Sequence, residues 1–324
     1  MASGGGHLRQ LLQLAALQDE FPYYFVTEKT SLGQSLTADH KTHFVPHFAF
    51  GQRKSDGWLS FLWSGIKNAF VSTFHFFREW PDVIISSGAG AAFVTVIWAR
   101  IFFKKIIYIE SIARVTEVSL FGRLAQKHAG LIIVQWPSME KLIKGATYCS
   151  PLVVDDWKGD QVRKGTLVTV GTVMPFDRMV HGVESLLKEG KVDKPVAAQI
   201  GESTKAFEGI ESFASCPFEE LNSRMENADV IVCHGGSGSI LGSLKAGAHV
   251  VAMARLAEHG EHYDDHQKDI TKAFADKDLI SVAEDENDLE RAIAEAKSRP
   301  RRTVNIDCSE YITVIKEFVL NGKS

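Results

Sequence analysis

The feature that most constrains this 324-residue chain lies in its second half. An apolar stretch, Ala228-Asp229-Val230-Ile231-Val232-Cys233, meets a turn almost free of large side chains, His234-Gly235-Gly236-Ser237-Gly238-Ser239. The helix-forming run Ile240-Leu241-Gly242-Ser243-Leu244 follows. The pattern is buried strand, glycine turn, helix start. Glycine lets the backbone approach a ligand closely and take positive φ. The helix start supplies free N–H groups and the positive end of the helix dipole. Together they make an anion site, most naturally for a diphosphate. A similar device opens the chain, Ser3-Gly4-Gly5-Gly6-His7 leading into Leu8-Arg9-Gln10-Leu11-Leu12. Two such turns suggest two nucleotide-fold halves facing one cleft.

Strand and helix alternate around both turns, which argues for an α/β chain with parallel sheets. Strands are expected at 24–27, 43–45, 82–86, 105–109 and 131–135 in the first half, with helices over 91–103 and 119–128. In the second half strands are expected at 166–170, 195–200, 229–233 and 249–253. Helices are expected over 176–188, 218–225, 239–246, from about 264, and over 287–297 and 309–320. The polar, charged stretch with Pro151, Gly159 and Gly165 reads as a linker. The chain therefore divides into a domain at 1–150, a linker at 151–165 and a domain at 166–324, with the last helix packing back on the first domain. A glycine turn of this kind should follow a strand, yet only Met1 and Ala2 precede Ser3.

A net charge of −4 gives no sign of a general nucleic-acid binder. Cys149, Cys216, Cys233 and Cys308 are scattered without metal-ligand spacing and read as reduced thiols in a cytosolic setting. No signal peptide is visible, and no apolar run reaches the length of a membrane span. From Trp58 to Trp80, however, the chain is crowded with aromatics, among them Phe61, Trp63, Phe70, Phe74, Phe76 and Phe77. A helix apolar on most sides is either deeply buried or inserted at a membrane interface. Trp and Phe enrichment with basic residues near the ends favours the interface.

The loop 254–267 sharpens the second turn. It carries Arg255, Glu258, His259, Glu261, His262, Asp264, Asp265, His266 and Gln267 at the C-terminal end of a strand. Ligands bind at that edge of open α/β sheets. Asp265 and Gln267 suit sugar hydroxyls, and Glu261 suits ribose or sugar. The plainer reading is a solvated loop with Asp264 capping a helix.

These motifs, with Thr166-Leu167-Val168-Thr169-Val170-Gly171-Thr172 and Phe176-Asp177, resemble the donor-binding subunit of two-subunit UDP-sugar transferases. That group includes the dolichol-pathway N-acetylglucosaminyltransferase and bacterial exopolysaccharide enzymes that add glucuronic acid or galactose. The first half resembles the partner subunit in SGGGHL, Thr27-Glu28-Lys29-Thr30, Ser87-Gly88-Ala89-Gly90, Tyr108–Val115 and Val134-Gln135-Trp136-Pro137. The chain thus resembles a single-chain fusion of the two, with the GT-B architecture of glycosyltransferase family 28. The resemblance implies an inverting transferase that needs no metal or other cofactor, peripheral on the cytoplasmic face of a membrane. It would move a sugar, with glucuronic acid in β-1,4 linkage as the first choice, from a UDP-sugar to a polyprenyl-diphosphate-linked saccharide. N-acetylglucosamine, galactose and glucose remain open, as does a non-catalytic partner that binds nucleotide or lipid.

On this reading the backbone at Gly235, Gly236, Ser237 and Gly238 holds the diphosphate, with His234 and Thr172 beside it. Arg255 compensates charge or grips a uronate carboxylate. His7 is the first candidate for the general base, because imidazole titrates near neutrality, and Glu110 the second. Both have plainer readings, His7 as a loop-orienting residue and Glu110 as a carboxylate bound to backbone N–H groups or Arg114. Gly5, Gly6 and Arg114 fall on the acceptor side. Trp58, Phe61 and Trp63 would touch the membrane, replacing the membrane-spanning helix with which partner subunits often begin.

Overall fold

In a computed structural model of the chain, the residues described are 1–48, 58–88, 90–171 and 174–321. They fall into two compact units, Met1–Pro151 with Ile306–Ser324, and Leu152–Asn305.

The first unit begins with α1 (Gly6–Leu12) and the parallel pair β1 (Phe25–Glu28) and β2 (Thr42–Val45). A long helix, α2 (Trp58–Glu79), follows, then β3 (Val83–Ser86), α3 (Phe93–Ile101), β4 (Lys105–Ile109), β5 (Leu131–Val134) and β6 (Thr147–Tyr148). Strands β3 to β6 form a parallel sheet in chain order. Runs such as Lys105-Ile-Ile-Tyr-Ile109 are apolar on both faces, as strands covered on both sides must be. Met1 and Ala2 lie between the two pieces of sheet. The Ala2 N–H donates to the Val26 carbonyl, Ala2 bridges to Gly88, and the Met1 amino group donates to the Ile85 carbonyl. The place of a strand before Ser3 is thus taken by these two residues. The last helix, Ser309–Asn321, buries Tyr311 and Ile315 in the core of this unit, against Leu8, Ile107 and Ile133.

The second unit contains β7 (Leu152–Asp156), β8 (Thr166–Thr169), α4 (Asp177–Lys188), β9 (Val196–Gln199), β10 (Glu211–Phe213), β11 (Val230–His234), α5 (Ser237–Lys245), β12 (His249–Met253), α6 (His266–Ala275), β13 (Ser281–Ala283) and β14 (Arg302–Ile306). Six of these strands make one parallel sheet in the order β10-β9-β8-β11-β12-β13. The order runs outward from β8 in one direction and resumes from β11 in the other. The strand order therefore reverses between β8 and β11, where such sheets open a ligand crevice at their C-terminal edge. Beneath that edge the core packs Val168, Met179, Val183, Val232, Val251 and Leu289.

Several expectations shift. The stretch expected as a linker holds a strand, β7, paired with β14 within the second unit. Strands β10 and β13 have three residues each, too short to leave a periodic signal. Helix α5 begins two residues earlier than expected, at Ser237, so the serine and glycine of the turn are already helical. Asp265, not Asp264, stands at the start of α6, and its side chain makes no capping bond there.

Candidate functional site

The C-terminal ends of β8 and β11 carry two glycine turns, and the ring of His234 lies between them. A Cβ at Gly236 would sit 2.2 Å from His234 Cε1. One at Gly171, where φ is +80°, would sit 2.9 Å from Nε2. Both positions therefore require glycine. The Gly236 N–H donates to His234 Nδ1 at 3.0 Å, so the ring proton belongs on Nε2, which donates to Ser239 Oγ at 2.9 Å. Burial, with the Arg255 charge adding to it, pushes the His234 pKa down to about 3. The ring is a neutral spacer that fixes the turn.

This changes which amides face outward. The Gly235 N–H donates to the Met253 carbonyl and the Gly236 N–H to His234, so both are committed inside the protein. Among the described residues, the N–H groups of Ser237 and Gly238 meet no protein acceptor. Of the four amides expected to face a diphosphate, only these two, at the first turn of the nine-residue helix α5, are left without an internal acceptor among the described residues. Thr172 lies outside the described residues.

The polar residues expected to bind donor mostly face inward. Arg255 is 3% exposed. Its guanidinium donates to the carbonyls of Val170 (2.5 Å) and Met174 (2.7 Å) and lies over the Phe176 ring. It holds the turn after β8 and is not open to a uronate carboxylate. Glu261 is gripped by Arg178, whose Nε and Nη2 each donate at 3.0 Å, and it also accepts the Leu256 N–H. Arg178 reaches Glu286 with its remaining nitrogen. Glu261 is therefore part of a clamp instead of an open ribose ligand. Gln267, buried, accepts the Arg255 N–H at 3.1 Å. Asp265 is exposed and accepts the Ala257 N–H through one oxygen. Arg178 was missed in the sequence because it sits on a helix, outside both motifs.

In the first unit, His7 Nδ1 lies 2.8 Å from the Ser87 carbonyl, and Ser87 Oγ donates back to the His7 carbonyl. A carbonyl only accepts, so the proton is on Nδ1 and Nε2 keeps its lone pair. Burial holds the His7 pKa below its ordinary value, partly offset by the Ser87 carbonyl and by the charges of Glu110 and Glu28, while Arg114 lowers it further. His7 is thus neutral at pH 7 with one nitrogen ready to take a proton.

Glu110 is the opposite case. It is 1% exposed, and its carboxylate accepts from Tyr108 OH, Ser111 N–H, Ser119 N–H and Ser119 Oγ. Four donors fill the acceptor capacity of a carboxylate. Glu110 is a structural anchor, which corrects its reading as an alternative base. The turn at Ser3–Gly6 leans on another carboxylate, Glu28, which accepts from Ser3 Oγ and the Gly4 N–H and pairs with His47. Its sequence signal was only its place beside Thr27. Gly5 (φ +74°) and Gly6 have open space where a Cβ would be, so none of the described residues crowds this side of the turn.

Helix α2 buries a mixed face, Phe76 (2% exposed) with two polar residues, and turns most of its aromatics outward. Asn68 (0% exposed) and Ser72 (1%) face inward, where Asn68 Nδ2 donates to the Pro46 carbonyl and Ser72 Oγ to Asn68 Oδ1. Leu62, Trp63, Ile66, Phe70, Phe74 and Phe77 lie on the outside, with Phe70 76% exposed. Ile97, Ile101 and Phe103, on or just after α3, extend the apolar face. Lys67 lies over the Trp63 ring and Lys104 over Trp80. Phe61 stacks on Phe48 and does not belong to the exposed stripe, a correction to its expected role. The Trp58 side chain lies outside what is described. Among the described residues, no helix is long and apolar enough to cross a membrane.

Residues 3–152 match the family "Oligosaccharide biosynthesis protein Alg14 like", and residues 166–310 match the "Glycosyltransferase family 28 C-terminal domain". The chain joins an Alg14-like domain to a family 28 C-terminal domain. The Alg14-like domain is similar to the UDP-N-acetylglucosamine transferase subunit ALG14 of Eremothecium gossypii, 33% identical over 79 residues, 22% of this chain and 35% of that protein. It is also similar to the subunit of the same name from Rattus norvegicus, 23% identical over 175 residues, 47% of this chain and 81% of that protein. Among solved structures, MurG of Acinetobacter baumannii aligns with a TM-score of 0.65 at 14% identity, covering 98% of each chain. The UDP-GlcNAc 2-epimerase of Methanocaldococcus jannaschii aligns with a TM-score of 0.66 at 10% identity, also covering 98% of each. The fold is GT-B, with two Rossmann-like units.

In the family 28 domain, the neutral state of His234 has a measurable signature. Its folded pKa of about 3 lies below the ordinary 6.5, so on acidification the unfolded chain takes up the proton first. The stability this residue contributes is complete above pH 6.5 and is lost as the pH falls toward 3. Unfolding free energies measured between those limits should show a slope that His234→Asn makes shallower by at most about 1.4 kcal/mol per pH unit. Parallel slopes for the two proteins would show that His234 is not held neutral.

Proposed function

We propose that this chain is an inverting glycosyltransferase that moves a sugar from a UDP-sugar to a saccharide carried on a polyprenyl diphosphate at a membrane surface. The observation that carries this reading is the pairing, in one chain, of a helix start with two uncommitted amides at a strand-order reversal with an Alg14-like domain whose long helix turns most of its aromatics outward. The family 28 domain supplies the donor site, where the amides of Ser237 and Gly238 hold the diphosphate of UDP as leaving group. The Alg14-like domain supplies the acceptor side. His7 Nε2 takes the proton of the acceptor hydroxyl as its oxygen attacks the anomeric carbon, and UDP departs from the opposite face. Arg114 adds positive charge on the acceptor side.

N-acetylglucosamine is the donor sugar we favour, because the ALG14 relatives are named for it. Glucuronate rested on the resemblance to exopolysaccharide enzymes, with weaker support from Arg255, whose guanidinium is engaged by backbone carbonyls. A nucleotide-sugar epimerase has the same fold, as the Methanocaldococcus jannaschii enzyme shows, but the outward aromatic face has no use in an enzyme of soluble nucleotide sugars.

The direct test is a panel of UDP-N-acetylglucosamine, UDP-glucuronate, UDP-galactose and UDP-glucose against a short lipid-diphosphate saccharide, with mass spectrometry of the product. Acceptor-dependent transfer from UDP-N-acetylglucosamine is expected, and consumption of donor without acceptor would overturn the reading. Replacing His7 by Gln should lower kcat by roughly 10²–10⁴-fold with UDP binding unchanged. Turnover close to the parent's would remove His7 from the role of base. Vesicles containing anionic lipid should recruit the protein. Cosedimentation of the Trp63→Ser, Phe70→Ser, Phe74→Ser triple variant should be weaker by about tenfold or more. Equal partitioning of the two proteins would sink the membrane contact.

A further inference from the structure

We propose that His262, Asp264 and His266 form a binding site for a divalent transition-metal ion of the zinc type. The three lie on the loop between β12 and α6, with His266 the first residue of that helix. Each offers one ligand atom, and the three atoms lie within 4.8 Å of one another. His262 Nδ1 stands 3.0 Å from Asp264 Oδ1, and His266 Nδ1 approaches the same oxygen still more closely. The two imidazoles meet edge to face, with centroids 4.7 Å apart.

His262 Nδ1 also lies 3.1 Å from the Asp264 carbonyl, so in the empty loop a proton on Nδ1 is shared between two oxygens of Asp264. A cation would replace those protons, taking the lone pair of each imidazole nitrogen and one from the carboxylate oxygen on which both rings converge. Two imidazoles and one carboxylate select zinc, cobalt or nickel over magnesium and calcium, which favour oxygen ligands. Metal–ligand bonds of about 2.0–2.2 Å place tetrahedral ligand atoms roughly 3.4 Å apart, so side-chain rotation on this exposed loop must draw the widest pair in by up to about an ångström.

The loop is built to hold such a group in place. The Ala257 N–H donates to Asp265 Oδ1 at 2.8 Å, the Leu256 N–H donates to Glu261 Oε2 at 3.1 Å, and Gly260 turns the chain at φ +68°. Asp264 and Tyr263 are exposed, leaving the outer side open to water as a further ligand. The transfer proposed above uses no metal, and the site is read out with metal alone, so either proposal stands or falls without the other.

The test uses the full chain without an affinity tag, stripped of metal and titrated with zinc by calorimetry and with cobalt by visible absorption. One ion per chain is expected, with a d–d spectrum for cobalt. His262→Ala, His266→Ala and Asp264→Asn should each weaken zinc binding by roughly tenfold or more. His259→Ala, on the same loop but outside the triad, should leave it unchanged. Asp264 is exposed, so Asp264→Asn keeps a folded protein for comparison if a histidine variant melts early. The absence of stoichiometric binding, binding unaffected by both His266→Ala and Asp264→Asn, or an equal loss in His259→Ala would each overturn the assignment.

Discussion

Everything at the donor end depends on how closely two backbone turns approach one imidazole ring. Gly171 and Gly236 flank His234 at distances where a Cβ would collide, and the ring answers with one accepted and one donated hydrogen bond. That contact fixes the turn after β11 relative to the turn after β8, across the point where strand order reverses. It also decides which amides remain for a ligand, because the ring consumes the Gly236 N–H. Desolvation keeps the ring neutral, so the spacer adds no charge of its own beside an anion site.

The same logic runs through the surrounding polar residues. Arg255, Glu261, Gln267 and Glu110 have the chemistry of ligand-binding groups, yet each spends it on the protein. Arg255 holds the carbonyls after β8, Glu261 answers Arg178, Gln267 holds the Arg255 backbone, and Glu110 gathers four donors. Loops at a sheet edge have few backbone partners of their own, so buried side chains must satisfy them. A precise binding surface needs such a supporting layer, and here the layer occupies most of the motif.

This is also where reading the sequence reached its limit. The alternation of strand and helix, both glycine turns and the fused arrangement were legible, because strand patterning and glycine chemistry are local properties. The direction in which a polar side chain points is not local. Arg255 next to a glycine turn looks the same whether it faces ligand or carbonyl. For Glu110 the distinction came from its four donors, and for His7 from the Ser87 carbonyl that fixes its tautomer, and only the folded chain provides either. Segment 58–80 was ambiguous because aromatics occupy most of its faces. The deciding signal was present but small, in that Asn68 and Ser72, four residues apart, mark the inward side by their hydrogen bonds.

The mixed inner face of α2 sets an unusual tolerance to mutation. Hydrophilic replacements at the most exposed outer positions, such as Phe70, remove little packing, whereas a leucine at position 68, an apolar residue on the inner face, would strand the Pro46 carbonyl and the Ser72 hydroxyl without their partner. Folding alone therefore asks little of the most exposed members of this row, and an aromatic face of this size turned to water is a cost that contact with something other than water would offset.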